Sequence, residues 1–160
     1  MNKIKIYLDT SVISHLDALD TPEKMQDTLM FWEDLKAFKY TAAISDLTIA
    51  ELSKCPEPKR TLMFDYLSQI LYVEEQETEE SIALADQYIQ KGVLSQKSRD
   101  DCRHIAIATI KDCKYIVSWN FKHFVNIRTV KKVQAVNKLY GYNDVDIVPP
   151  SMMLEGDEIE

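Results

Sequence analysis

Glycine is scarce, with three residues in a chain of 160. None of the three sits in a G-x-G-x-x-G or G-x-x-x-x-G-K-[S/T] loop, which argues against dinucleotide and P-loop phosphate chemistry. Cysteine is equally sparse. Cys55, Cys102 and Cys113 make an odd count with no C-x-x-C spacing, so reduced, buried thiols in a cytoplasmic protein are expected rather than a disulfide framework. The three histidines are too few and wrongly spaced to complete a zinc site. No apolar run approaches the ~20 residues of a membrane span. The first residues lack the apolar stretch of a signal peptide, so none is expected. Basic charge is also in deficit, and the net charge of −7 at first argues against a polyanionic partner.

What the chain does have is 46% hydrophobic and 28% charged residues, the balance of a soluble globule with a sizeable core. A single domain is expected over residues 1–150, followed by an acidic, frayed tail over 151–160. The charge is unevenly spread. From Lys97 to Lys132 there are nine Lys or Arg against three Asp, so that window stands at +6 and the remainder at −13. The asymmetry permits a basic face on an acidic protein, and equally describes an ordinary solvated surface.

Hydrophobic periodicity alternates between strand and helix. Ile4 to Leu8 reads as a strand, with Thr10 or Ser11 able to cap a short helix through Leu19. Thr21-Pro22-Glu23 opens a second helix with a cap, a first-turn proline and a first-turn acid. "YTAAIS", "ILYVEE", "YIVSW" and "VDIVPP" read as further strands. Helices are expected after Ser45, from Pro58 to about Gln69, from Thr78 to Lys91 with Gly92 as the stop, from a Ser98 cap to Lys111, and from Asn126 to Leu139. Strands alternating with helices imply an α/β fold with a mostly parallel sheet.

In an open α/β sheet, ligands bind beyond the carboxyl ends of the strands. Asp9 stands at the end of the first strand. Glu51 lies about two turns into the helix after the second. Asp101 is in the first turn of the helix from Ser98, and Asn120 follows the fourth strand. If these side chains converge, carboxylates brought together would repel and protonate. A hard divalent cation removes that penalty, and carboxylate oxygens suit Mg²⁺ or Mn²⁺. Each residue also has a plainer reading. Asp9 can cap a helix, Glu51 can be a surface acid, "SRDD" can form a variant capping box, and Asn120 can be a turn residue. Asp100 lies roughly 100° round the helix from Asp101, so both cannot face one ion.

"YLDTSVIS", "ISDLTIAEL", "DDCRHIAIAT" and "IVSWNFKHF", in this order, resemble the four signature segments of the PIN-domain family, and especially of VapC-type toxins from toxin–antitoxin pairs. The resemblance runs from Lys3 to about Pro149. It implies a three-layer α/β/α sandwich with a short, mostly parallel sheet, and an Mg²⁺- or Mn²⁺-dependent ribonuclease. It places the metal ligands at Asp9, Glu51 and Asp101, and the fourth catalytic position at Asn120 with Ser118 as its hydroxyl neighbour. Many relatives carry Asp at that fourth position. Asparagine removes one negative charge, which argues against a tightly held second metal.

The same resemblance implies a homodimer, a VapB-like antitoxin partner and RNA as substrate. Ser118 and Lys122 are candidate substrate-binding residues, with His123 and Arg99 or Arg103 as further candidates for phosphate contacts. His104, on the apolar side of "HIAIA", is expected to pack behind the site rather than act as a base. Trp119 and Phe121 can stack bases or fill the core. An antitoxin groove is expected near Met25, Phe31, Trp32, Phe64 and Tyr66. Two other functions compete. One is a non-catalytic PIN-like domain that binds RNA or protein. The other is a phosphoryl-accepting α/β domain, although "DTS" lacks the D-x-D of a haloacid hydrolase and strand one lacks the paired acids of a receiver.

Overall fold

The computed structural model describes residues 3–155. Five strands form one parallel sheet: β1 (Lys5–Leu8), β2 (Thr41–Ser45), β3 (Tyr72–Glu75), β4 (Tyr115–Val117) and β5 (Asp146–Val148). Their order across the sheet is β3-β2-β1-β4-β5. The register pairs Lys5 with Thr41 on one side of β1 and Ile6 with Tyr115 on the other. The chain therefore winds outward from β1 through β2 to β3, then returns to the opposite side of β1. That reversal leaves a crevice between the ends of β1 and β4, the kind of place where open α/β sheets bind ligands.

Among the described residues, eight α-helices connect and cover the strands: α1 (Thr10–Ser14), α2 (Pro22–Lys36), α3 (Asp46–Ser53), α4 (Lys59–Leu67), α5 (Glu79–Gln90), α6 (Arg99–Ile110), α7 (Ile127–Leu139) and α8 (Pro150–Glu155). Side chains alternate across a strand, so each strand feeds two cores. Ile6 and Leu8 pack with Phe31, Trp32, Leu52 and Leu67 on one face of the sheet. Tyr7 packs with Tyr88, Ile105 and Phe124 on the other. These two cores on opposite faces make the three-layer α/β/α sandwich.

Several local expectations are corrected. Thr21 does not cap α2 with its side chain; its hydroxyl instead donates to the Ala18 carbonyl at 3.4 Å. Ser98 does not cap α6, because a 3₁₀ turn over Gln96–Ser98 leads into the helix and leaves Ser98 out of capping geometry. The first helix ends at Ser14 rather than Leu19. Residues 151–155, expected as part of a frayed tail, belong to α8, which begins at Pro150 and buries Met153 against the α2 side of the sheet. The remainder of that expected tail lies outside the described residues.

Candidate active site

Asp9 is carried to the crevice by β1 and held there from two directions. The Ser11 hydroxyl donates to its Oδ2 at 2.6 Å, and the Ser118 hydroxyl, from the end of β4, donates to the same oxygen at 2.9 Å. Both hydroxyls are themselves fixed by backbone. Ser11 Oγ accepts from the Trp119 N–H at 3.0 Å, and Ser118 Oγ from the Asn120 N–H at 3.0 Å. Asp9 makes no side-chain cap to α1, so its carboxylate is aimed by its neighbours and not spent on the helix. Ser118, expected to meet substrate, is fully buried. Its hydroxyl is spent on Asp9.

Glu51 reaches the same edge from α3. That helix is capped by Ser45, whose Oγ accepts from the Thr48 N–H at 3.2 Å. Glu51 Oε1 accepts from the Thr10 hydroxyl at 2.5 Å and from His104 Nε2 at 2.8 Å. His104 is almost fully buried, and its Nδ1 stands 2.6 Å from the Tyr7 hydroxyl, which also meets Ser45 Oγ at 2.7 Å. A neutral ring that donates from Nε2 accepts at Nδ1 from the Tyr7 hydroxyl, whereas a protonated ring donates from both nitrogens. A hydrogen-bonded chain thus runs from the cap of α3 through β1 and α6 back to Glu51. Burial pushes the Glu51 carboxyl up, but the His104 bond and charge, the Thr10 hydroxyl and Arg103 pull it down further, for a net lowering. Burial opposes charge on His104 as well, yet the Glu51 bond and the charges of Asp9, Glu51 and Asp101 raise its pKa overall.

Asp101 enters from the first turn of α6. Its Oδ2 accepts from His123 Nδ1 at 2.9 Å, and Ser98 Oγ lies 3.4 Å from the same nitrogen. Burial raises its pKa, and the nearby Asp9 charge adds to the rise against the lowering effect of His123. Asp100 turns away to bond Arg103 Nη1 at 2.8 Å, as helical geometry demands. Asn120 caps the following turn, with its Oδ1 accepting from the His123 N–H at 3.1 Å. Lys122 is exposed on that turn.

Two nominated phosphate contacts are otherwise engaged. Arg99 pairs with Asp86. Arg103 forks onto Glu77, 2.7 Å from each oxygen, and also holds Asp100; these bonds raise its pKa. The basic window is thus partly neutralised by acids from outside it. Trp119 is buried, with its Nε1–H donating to Thr28 Oγ1 at 2.8 Å, whereas Phe121 is 46% exposed. The sequence reading missed Ser11 and Tyr7. Ser11, two residues beyond Asp9, was legible as a hydroxyl able to fold back. Tyr7 carried no such signal, because its partner His104 is 97 residues away.

The arrangement has one common feature. Asp9, Glu51 and Asp101 each have one oxygen held by hydrogen bonds, while Asp9 Oδ1, Glu51 Oε2 and Asp101 Oδ1 accept none from the described residues. Asp34 Oδ2 is the one buried side-chain oxygen or nitrogen without a partner among the described residues, so these three oxygens are reached by solvent. Among the described residues, no three His, Cys, Asp or Glu side chains stand close enough to hold an ion by themselves. An ion shared by these carboxylates would therefore need water or substrate oxygens among its ligands. Mg²⁺ retains several waters and uses one or two carboxylates plus substrate phosphate.

Neither the family models nor the curated protein sequences contain a match to this chain. Solved structures do resemble it. A chain of VapBC2 from Rickettsia felis, in a complex bound to a promoter DNA fragment, superposes with a TM-score of 0.55 at 16% identity, covering 91% of this chain and 98% of that one. Mycobacterium tuberculosis VapC20, a toxin that cleaves the sarcin–ricin loop, gives a TM-score of 0.57 at 14% identity, covering 88% and 98%. The fold is PIN-like, of the VapC type. Within this VapC-like fold, the acidic cluster sits at the crevice between β1 and β4. Among the described residues, no helix is long and apolar enough to cross a membrane.

Proposed function

We propose that this chain is a divalent-metal-dependent endoribonuclease that hydrolyses RNA phosphodiester bonds, as the toxin of a type II toxin–antitoxin pair. The observation that carries the reading is the set of three half-bound carboxylates whose second oxygens open toward solvent at the β1–β4 crevice. Asp9, Glu51 and Asp101 would hold Mg²⁺ or Mn²⁺ there, directly or through water. When bound, such an ion lowers the pKa of a coordinated water and screens the scissile phosphate.

The chain's own residues do the positioning. Ser11 and Ser118 fix Asp9, Thr10 and His104 fix Glu51, and His123 fixes Asp101. Asn120, whose Oδ1 is occupied by His123 N–H, keeps its amide protons for a substrate oxygen or the attacking water. Lys122 is free on the adjoining turn to meet a backbone phosphate. The three thiols are unpaired, with burial pushing Cys102 and Cys113 up to about 12. Unreactive reduced thiols suit a cytoplasmic protein.

A VapB-like antitoxin and a homodimer belong to the same proposal. Of the residues expected at an antitoxin groove, Phe31 is buried in the core, whereas Trp32 and Tyr66 line a depression between α2 and α4. The depression is shallow, with a volume of about 330 Å³, and is lined also by Leu29 and Met30 among others. The second reading, a non-catalytic PIN-like binding domain, draws on Asn120 and on the lack of a closed three-ligand cluster.

The deciding experiment is RNA cleavage by the purified chain in Mn²⁺, Mg²⁺ and EDTA, with Asp9→Ala alongside. Cleavage that needs the metal and disappears in the variant, at an unchanged metal-free melting temperature, is the expected result. Equal cleavage by parent and variant would remove the mechanism. Metal binding without turnover would favour the non-catalytic reading.

A further inference from the structure

Phe121 stands out on the turn after β4. Its ring is 46% exposed, yet it is not loose. It meets Trp119 edge-on at 6.0 Å between centroids, and Lys24 Nζ, from α2, lies 5.1 Å from the Phe121 centroid and 5.6 Å from that of Trp119. Trp119 forms a rigid floor. It is buried, its ring lies 5.8 Å from that of His15, and its Nε1–H is tied to Thr28. Its backbone N–H donates to Ser11, which in turn donates to Asp9. The aromatic pair is therefore anchored to the acidic cup through two hydrogen bonds. Lys24 has no acidic partner among the described residues.

We propose that Phe121 and Lys24 form a subsite for one unpaired nucleotide of single-stranded RNA beside the acidic cup, Phe121 stacking the base and Lys24 meeting its phosphate. The proposal rests on the reading of that cup as an RNA-cleaving site. An aromatic face next to an unneutralised ammonium matches the two halves of a nucleotide, one apolar and flat, the other anionic. A protein contact over the same ring would enclose the Lys24 charge without a counterion, which is costly. Stacking is tolerant of base identity, so the subsite selects single-stranded over paired RNA rather than one base over another.

The test is anisotropy of labelled single-stranded RNA with the full chain in EDTA, for the parent, Phe121→Ala, Phe121→Trp and Lys24→Gln. Phe121→Ala is expected to weaken binding about fivefold or more, and Phe121→Trp to retain it. The loss should vanish when a single abasic residue, scanned along the oligonucleotide, occupies the stacked position. Lys24→Gln should lower the slope of log affinity against log salt by about 0.7. Parent-like binding by Phe121→Ala, or an equal loss on intact and abasic RNA at every position, overturns the subsite. A change in oligomeric state on sedimentation with unchanged RNA affinity also overturns it and makes this face a protein contact. Metal-dependent cleavage by the parent is measured in parallel. If cleavage is present and Phe121→Ala binds normally, only the subsite falls. If the parent neither binds nor cuts RNA, both readings fall.

Discussion

Glu51 is held by a histidine 53 residues away that is itself closed off from water. Replacing His104 with Gln breaks a charge-assisted bond and disturbs the Tyr7 hydroxyl behind it, a loss of about 2–3 kcal/mol. The loss depends on pH. The His104 pKa is raised on folding, so its contribution is complete below its unfolded value of 6.5 and fades as pH rises through the folded value. The Glu51 pKa is lowered, so its contribution is present above 4.5 and fades as pH falls through the folded value. The gap in urea-unfolding stability between parent and variant should therefore be wider at pH 6 than at pH 9. A gap independent of pH would mean that His104 acts by packing alone. Asn120→Asp makes the complementary test. The new carboxylate can still accept the His123 N–H, so the turn is kept while a charge is added. Mn²⁺ affinity by calorimetry should rise severalfold, and unchanged or weaker affinity would place position 120 outside the metal's surroundings. At this scale the sequence showed which side chains could meet, but not how each would be spent. Asp101 could read as a cap or a ligand until a 3₁₀ turn removed Ser98 from capping geometry. Ser118 could read as a substrate contact, whereas its hydroxyl is spent on Asp9.

Helix α3 carries Glu51, and its direction is set at its first residue. Ser45 caps the Thr48 N–H and also touches the Tyr7 hydroxyl. Ser45→Ala should cost about 1–2 kcal/mol in urea unfolding, because a cap and a buried polar partner are lost together. It should also weaken Mn²⁺ binding, since the start of the Glu51 helix loosens. Loss of stability with unaltered metal affinity would show that α3 is aimed by packing and not by its cap. The elements themselves were largely legible, because alternation every two residues and recurrence near 3.6 are direct signatures of buried faces. All five strands fall where the pattern puts them. The ends were less legible. α1 stops at Ser14, and α8 appears where the acids after Pro150 suggested a frayed tail. Both differences come from tertiary packing, which local propensity does not contain; Met153 is drawn into the core beneath β5.

On the proposed function, the whole molecule sets an acidic protein against an acidic substrate. Of the basic residues between Lys97 and Lys132, Arg99 and Arg103 are neutralised by Asp86, Glu77 and Asp100. On that proposed function, affinity for RNA would draw on the cations left without an acidic partner among the described residues, Lys24 and Lys122 among them, together with a metal ion in the acidic cup. Binding of a non-hydrolysable RNA analogue should accordingly strengthen when Mn²⁺ is added to the parent, and strengthen less for Asp9→Ala, which retains only Glu51 and Asp101. The fold was legible at this scale from the order of four short segments. The carboxyl edge of the sheet was legible as the place for a ligand, but the gap between β1 and β4 was not, because strand order is set by pairing between segments far apart in the chain. The width of the cup was not, because it depends on side-chain rotamers and on ions. The central claim is that this cup accepts one divalent cation. Anomalous diffraction from crystals grown with Mn²⁺ tests it most directly. The account predicts a single strong peak bounded by Asp9 Oδ1, Glu51 Oε2 and Asp101 Oδ1, reached directly or through one water. A cup without a peak at saturating Mn²⁺, or an ion bound only elsewhere, would contradict it.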